Sequence, residues 1–315
     1  MMPIASLLAA AGDPLSHVVD KPNKIGPLSM NTITLLVVTA LFIWVMTVVA
    51  KAIQTGPASD GNERYITKGR LAQLIEVIVL YLRDTVIRPQ LGADASRFLP
   101  FLLTVFFFIL FNNLFGLLPL IDIQYLVTSL LAGDTHAGTA YIGGTATGRI
   151  AVTGALALIA FLVWNINAIR SAGLGAWFKH FLGGGPAYLA PVMVPVEIMG
   201  MFVKPVALAL RLFANMTAGH ILLGVLIIFT AAAPKALGIL GAPITVIAAA
   251  GAIAIFFLEV FVALLQAFIF MFLTTLFIAQ MAHHHHDDHE HADGHGLGND
   301  HSHDHHHATE PQPAA

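Results

Sequence analysis

The chain contains no cysteine, which excludes disulfides and any thiolate-based metal or redox site. Charge is scarce as well: Asp, Glu, Lys and Arg make up 10% of the residues, 57% are hydrophobic, and the mean hydropathy is +0.78. This composition excludes a soluble enzyme and identifies a polytopic membrane protein, because small soluble domains do not carry several apolar runs of about twenty residues. The opening stretch, MMPIASLLAAAG, is apolar but lacks a basic leader, so a short interfacial helix is expected there and a cleaved signal peptide is not. Lys and Arg are missing from residues 121–148, which hold Asp122, Asp134 and His136. That absence places the segment on the extracytoplasmic side. The formal net charge of −3 says little, because basic residues gather in a few loops and many acids in the tail.

Apolar runs predict spans at 31–53, 98–120 and 149–168, followed by two much longer helices at 191–229 and 244–282. Between the first two spans lies a basic stretch with Lys51, Arg64, Lys68, Arg70, Arg83, Arg88 and Arg97, which the positive-inside rule places in the cytoplasm. Within it, Leu71, Leu74, Ile75, Ile78, Val79 and Leu82 recur at helical spacing and predict an amphipathic surface helix. Gln73 and Glu76 read as its solvated face. Asn112 and Asn113 fall inside the second span, where two amides serve either helix packing or a polar pathway. Arg170, Lys179 and His180, with the glycines at 183–185 and Pro186, mark a second cytoplasmic loop. Pro234, Gly238, Gly241 and Pro243 mark a turn on the outer side. The expected fold is all-α, with five membrane helices, the last two a long tilted hairpin, and an amphipathic surface helix. Three regions follow: an extracytoplasmic segment at 1–30, the membrane domain at 31–282 and a tail at 283–315.

Residues 191–229 form the stretch around which the rest is organised. They are apolar almost throughout, yet hold Glu197, Lys204, Arg211, Asn215 and His220. An arginine at mid-bilayer depth costs ~2.5–3.5 kcal/mol on insertion scales and needs a reason. On a wheel of ~100° per residue, Glu197, Lys204 and Asn215 lie within about 40° of Arg211, together with the small residues Ala207 and Ala218. His220 lies nearly opposite. One face joins a cation to small residues that admit a neighbouring helix, and the other offers an imidazole. Folding the last two helices about Leu237 sets side by side residues whose numbers sum to roughly 474. That pairs Arg211 with the region of Ala263, within about one turn of Gln266, and puts Glu259 near Asn215, one to two turns from His220. A permanent cation, a titratable acid and an imidazole at this depth are parts for moving a proton. Arginine stays protonated and cannot itself relay one. Lys204, closer to the cytoplasmic end, reads as a snorkelling residue.

The sequence KPVALALRLFANMTAGH, from Lys204 to His220, resembles the most characteristic motif of the ATP synthase subunit a family. FFFILFNNLFGLLP at 106–119 is similar to the family's second span, and LLQAFIFMFLTTLFIAQM at 264–281 to its last helix. Three motifs in the right order make the resemblance specific, and it covers residues 28–282. The resemblance implies five membrane helices whose last two pack as a tilted hairpin against a ring of c subunits. It implies that Arg211 is the essential arginine that faces the ring carboxylate and separates two offset half-channels. By the same match, Asn215 and Gln266 are the polar residues near it, and Glu197 an acid of the cytoplasmic half-channel. His220 and Glu259 are the outer pair, and Asn113 a second-span residue lining the outer channel. Gly116 stands where some members have an acid, and Ala207 where some have serine, so neither is assigned a polar role. The implied partners are the c-ring, the stator subunit b and the rest of the synthase complex, within lipid and without nucleic acid. The implied place is a bacterial inner membrane, with the N-terminus periplasmic and the C-terminus cytoplasmic. The resemblance implies no cofactor and no bond chemistry performed by this chain alone.

The tail at 283–315 holds twelve of the sixteen histidines interleaved with Asp and Glu. Such a segment buries no core and is expected to lack regular structure. It reads as a metal-binding segment beginning with His283, His284, His285 and His286, as low-complexity drift, or as an expression tag, the last disfavoured by the irregular spacing and mixed acids. The competing function is a cation or metal secondary transporter. That reading requires His and Asp ligands within the spans at metal-ligand spacing and inverted repeats around broken helices. The spans hold one His and no Asp, and no such repeat is visible.

Overall fold

Long apolar runs without internal turn signals give helices and nothing else among the described residues. The computed structural model describes residues 29–53, 67, 69–118, 146–180, 188 and 190–290, with backbone alone at 171–172, 174, 176–180, 231, 235–236, 240 and 281–290. Helix α1 spans Met30–Ile53. Helix α2, Arg70–Tyr81, passes through a π-helical turn, Leu82–Ile87, into α3, Arg88–Leu91. A 3₁₀ turn, Gly92–Asp94, leads into α4, Ala95–Gly116. A second 3₁₀ turn, Ala146–Gly148, precedes α5, Ile150–His180. Helices α6, Ala190–Leu237, and α7, Ala242–Glu290, form a hairpin closed by a 3₁₀ turn, Gly238–Gly241. Five stretches are long and apolar enough to cross a bilayer: Met30–Ile53, Arg70–Gly116, Ile150–Arg170, Ala190–Pro234 and Ala242–Gln280. The all-α polytopic fold expected from the sequence is the fold observed.

The elements differ from the sequence reading in instructive ways. The apolar set assigned to one face of α2 is divided: Ile75 and, just beyond the helix, Leu82 are buried, Ile78 and Val79 are half-buried, and Leu71 and Leu74 are exposed. Gln73 and Glu76 are not simply a solvated face. Gln73 Nε2 donates to the Thr67 carbonyl at 2.9 Å, and the Thr67 hydroxyl donates to Glu76, tying Thr67 to α2. Helix α5 continues to His180, into what was expected to be loop, and absorbs a bend at Gly173, whose φ of 77° only glycine adopts without strain. Helix α7 runs eight residues past Ala282, so the first part of the His-rich tail is helical. No Gly or Pro occurs from 252 to 293, which leaves nothing in the local sequence to stop the helix before Gly294. The expectations for 1–28, the loop at 119–145, the glycine stretch at 183–185 and the tail from 291 lie outside the described residues.

Inside a bilayer, lipid tails are as apolar as leucine, so helices associate through close packing and hydrogen bonds. Small buried residues serve this between α5, α6 and α7: Ala157, Ala160, Ala209, Ala263 and Ala267. Aromatic pairs fill the larger gaps. Trp164 of α5 meets Phe277 of α7 at 4.8 Å between ring centroids, and Phe161 stacks on Phe202 of α6 at 5.7 Å. Each such pair adds ~0.5–1.5 kcal/mol beyond area burial. Hydroxyls in the apolar helices are satisfied locally: Thr39, Thr104, Thr274 and Thr275 each donate to the carbonyl four residues back.

Hydrogen bonds also define the two ends of the bundle. At the Ser29 end, Arg149 Nη1 at the start of α5 donates to the Ser29 hydroxyl at 2.9 Å and to Thr32 at 3.2 Å, joining the beginnings of α5 and α1. The end of α4 lies here too. At the Lys51 end, Lys204 Nζ of α6 donates to Gln280 Oε1 of α7 at 3.4 Å and sits 5.1 Å from the Phe277 ring centroid.

Candidate functional site

Helix α6 presents two unlike faces, and the predicted residues divide between them. Leu208, Ala209, Leu212 and Met216 are buried against the neighbouring helices. On the other side Val192, Val196, Met199, Val203, Val206 and Leu210 are exposed, at a spacing of three and four residues that makes one continuous stripe. Ala207, Arg211, Ala214, Asn215 and Ala218 are exposed beside that stripe. Arg211 makes no ion pair or hydrogen bond with any described residue, and it is exposed. Asn215, one turn on, is held in place: its Nδ2 donates to Gln266 Oε1 of α7 at 3.0 Å. Gln266 is buried at 2% exposure, so the amide pair links the outward face to the interior of the hairpin.

His220 lies on the opposite side of the helix, as the wheel predicts. Its Nε2 donates to the main-chain carbonyl of Gly116 at 3.0 Å. Gly116 ends α4, where the last carbonyls of a helix have no partner within it. The sequence reading denied position 116 a polar role because no acid stands there; the polar group is the backbone. Asn113, fully buried three residues earlier, accepts from the Thr147 hydroxyl through Oδ1 at 2.8 Å. Thr147 went unnoticed in the sequence, since it lies in a short turn outside every apolar run.

Glu259 of α7 is 7% exposed and packs directly on Gly219. A Cβ at 219 would collide with its Oε1 and stand 2.9 Å from its Cδ. Glycine is therefore required for the carboxylate to lie where it does. This corrects the hairpin register: Glu259 packs on Gly219, the residue before His220, and the level of Asn215 belongs to Gln266. The sequence estimate centred the turn on Leu237, whereas the turn is Gly238–Gly241. Pro234, taken as part of the turn, lies within α6. Gly241 packs against the Ala233 carbonyl, where a side chain would clash.

His220, Glu259 and Asn113 thus gather at the Ser29 end, between α4, α6, α7 and the Ala146–Gly148 turn. Their remaining polar atoms are buried without a partner among the described residues: Asn113 Nδ2, His220 Nδ1 and both Glu259 oxygens; Asn112 Oδ1 of α4 and Thr217 Oγ1 of α6 are orphaned likewise. Orphaned polar atoms cost ~1–3 kcal/mol each, and a cluster of them is a place for water or for a proton in transit. No hydrogen bond joins His220 to Glu259. Glu197 stands apart, half-buried on α6 toward the Lys51 end, about 21 Å of helix rise from Arg211. Lys204 reaches Gln280 and an aromatic face, as a snorkelling residue does. Among the described residues no group of three His, Asp or Glu is placed to share a metal ion.

Comparison with known proteins identifies the family. The sequence profile of the family described as ATP synthase A chain matches residues 28–279. The chain is 39% identical over 259 residues to ATP synthase subunit a of Myxococcus xanthus, covering 79% of this chain and 70% of that protein. It is 39% identical over 253 residues to the subunit a of Chloroherpeton thalassium, covering 78% and 66%. With the subunit a of Anaeromyxobacter dehalogenans it shares 42% over 222 residues, covering 68% and 50%. This chain therefore spans between half and about two thirds of the length of these relatives. The matched span contains every element from α1 to the end of the hairpin's apolar part, and with it Asn113, Arg211, His220, Glu259 and Gln266. By sequence over most of its length, the chain belongs to the ATP synthase subunit a family.

Proposed function

We propose that this chain is the proton-translocating subunit a of the membrane sector of an F-type ATP synthase, delivering protons to a ring of c subunits and receiving them from it. The observation that carries this reading is the division of α6. Arg211 is exposed beside an apolar stripe, while His220 and Glu259 lie on the enclosed side with unpartnered polar atoms.

Protons arrive at the Ser29 end, which is the extracytoplasmic side, and pass by way of Asn113, His220 and Glu259, with water completing the orphaned hydrogen bonds. They neutralise a ring carboxylate at the level of Arg211. A neutral carboxyl can then turn into lipid; an ionised one, at tens of kcal/mol by Born solvation in low dielectric, cannot. After nearly a full turn the proton leaves on the Glu197 side, which is cytoplasmic. Arg211 holds the emptied carboxylate ionised by its opposite charge and, being unable to lose its own proton, blocks a direct leak. Asn215 and Gln266 brace the helix pair beside it. The exposed stripe from Val192 to Leu210 meets the ring, and the small residues Ala207, Ala214 and Ala218 let it approach closely. The chain performs no bond chemistry itself and works with the c-ring, subunit b and the remaining synthase. It resides in a bacterial inner membrane, N-terminus periplasmic and C-terminus cytoplasmic. Arg211→Ala is expected to abolish ATP-driven proton pumping while ATP hydrolysis by the soluble sector persists. Normal pumping by an assembled mutant complex would refute the proposal.

A further inference from the structure

Asn112 and Asn113 are adjacent on α4, both buried, and held in opposite senses. Asn112 uses its donor: Nδ2 donates to the Phe108 carbonyl at 2.9 Å, and Oδ1 is left over. Asn113 uses its acceptor: Oδ1 accepts from the Thr147 hydroxyl at 2.8 Å, and Nδ2 is left over. The two restraints are unlike. A main-chain carbonyl can only accept, so Asn112 cannot turn over without losing its bond. Asn113 depends on one hydroxyl from a residue 34 positions away in the chain.

The fold fixes where that hydroxyl stands. Thr39, Thr104, Thr274 and Thr275 lie within helices and donate to the carbonyl four residues back. Thr147 lies in the 3₁₀ turn ahead of α5, is fully buried, and donates across to α4 instead. The turn is fastened at its far side as well. The Arg149 main-chain N–H donates to the Ala146 carbonyl at 3.2 Å, and Arg149 Nη1 donates to the Ser29 hydroxyl at 2.9 Å.

The sense of the Asn113 amide matters because of what lies with it. Gly116, three residues along α4, accepts from His220 Nε2, which leaves His220 Nδ1 as an acceptor. An ionised Glu259 offers acceptors alone. Of these three side chains, Asn113 alone has a buried donor left over. A water that accepts from Nδ2 turns its own hydrogens toward the acceptors, the polarity needed to pass protons inward. We propose that Thr147 is a positioning residue of the outer proton pathway: its hydroxyl holds the Asn113 carboxamide with Nδ2 as the free donor. The inference rests on the reading of Asn113, His220 and Glu259 as that pathway.

The test is passive proton conductance of vesicles holding the membrane sector with the soluble sector removed, compared at equal abundance of assembled complex. Thr147→Val keeps the branched shape and loses the hydroxyl; conductance should fall ~5-fold, the worth of one buried hydrogen bond. Thr147→Ser keeps the hydroxyl without the methyl group and should conduct like the parent, which a packing role would not allow. Thr147→Cys, whose thiol is a weak donor, should fall below Thr147→Ser. That pair decides the matter if the valine variant does not assemble. Asn113→Ala should lower conductance, and adding Thr147→Val should lower it no further, because Thr147 acts through Asn113. Three results each overturn the proposal while leaving the pathway standing: parent-like conductance in Thr147→Val, a cysteine variant equal to serine, or an undiminished effect of Thr147→Val beside Asn113→Ala. Parent-like conductance in Asn113→Ala would instead remove Asn113 from the pathway, and the role of Thr147 with it.

Discussion

The inward and outward faces of α6 are made of similar residues and finished in different ways. Inward, Leu208, Ala209, Leu212 and Met216 are buried by α5 and α7, and the polar members, His220 and its neighbour Glu259, are enclosed with them. Outward, an apolar stripe is left open, with Arg211 exposed beside it. Of the most apolar stretch in Ala190–Pro234 only 11% of positions are buried within the protein, against 50% in Arg70–Gly116. Hydrophobicity therefore does not say which face the protein covers. Neighbouring chemistry does: the enclosed face meets carbonyls, a glycine cradle and amides, and the open face carries a cation and small residues.

If the enclosed face conducts and the open face couples, changes inside should throttle proton flow. The largest such effect is expected from Glu259→Ala, which removes the anion that attracts protons, with His220→Ala milder. The exchange His220→Glu with Glu259→His keeps both groups and should recover part of the flux. Recovery stays incomplete because a carboxylate at 220 would meet the Gly116 carbonyl as acceptor against acceptor. Passive proton conductance of c-ring vesicles stripped of the soluble sector measures this. An exchanged mutant that conducts no better than the single variants would show that the two residues act separately.

Gly219→Val should come next. Its added carbons occupy the space of the Glu259 carboxylate, so conductance should fall toward the Glu259→Ala level with every titratable group still present. Gly219→Ala should lie between valine and the parent. Parent-like conductance in the valine variant would mean that the position of Glu259 is not what matters.

The smallest effect concerns the far end of α7. Truncation after Ala282 should leave assembly and ATP synthesis near normal, because the removed residues are almost all polar. Loss of synthesis at unchanged abundance of the complex would make the tail part of the coupling machinery.

Much of this was legible in the sequence because a bilayer imposes strict periodicity and length. Helix count, the hairpin and the opposition of Arg211 and His220 all follow from apolar run length and a 100° wheel. Other features were hidden for physical reasons. The Gly116 carbonyl is a main-chain acceptor with no side-chain signature, visible only once α4 is known to end there. Thr147 is brought to Asn113 by a turn across 34 residues of separation, and no local pattern encodes that approach. The hairpin register depended on which residues form a tight 3₁₀ turn, and a displacement of two or three positions carried Glu259 from Asn215 to Gly219. Thr67, Gln73 and Glu76 form a local knot that amphipathicity alone reads as solvated surface.

The division of α6 can be tested directly because the native chain has no cysteine, so single thiols can be placed without background. Val206→Cys, Leu210→Cys and Ala214→Cys lie on the open face; Leu212→Cys and Met216→Cys lie on the enclosed one. Each is combined with a cysteine on the outer surface of the c-ring helix near its carboxylate, and disulfide cross-linking is read in assembled complexes. Cross-links are expected at 206, 210 and 214 and absent at 212 and 216. Cross-linking at 212 and 216 with none at the other three would place the ring against the opposite face and contradict the account.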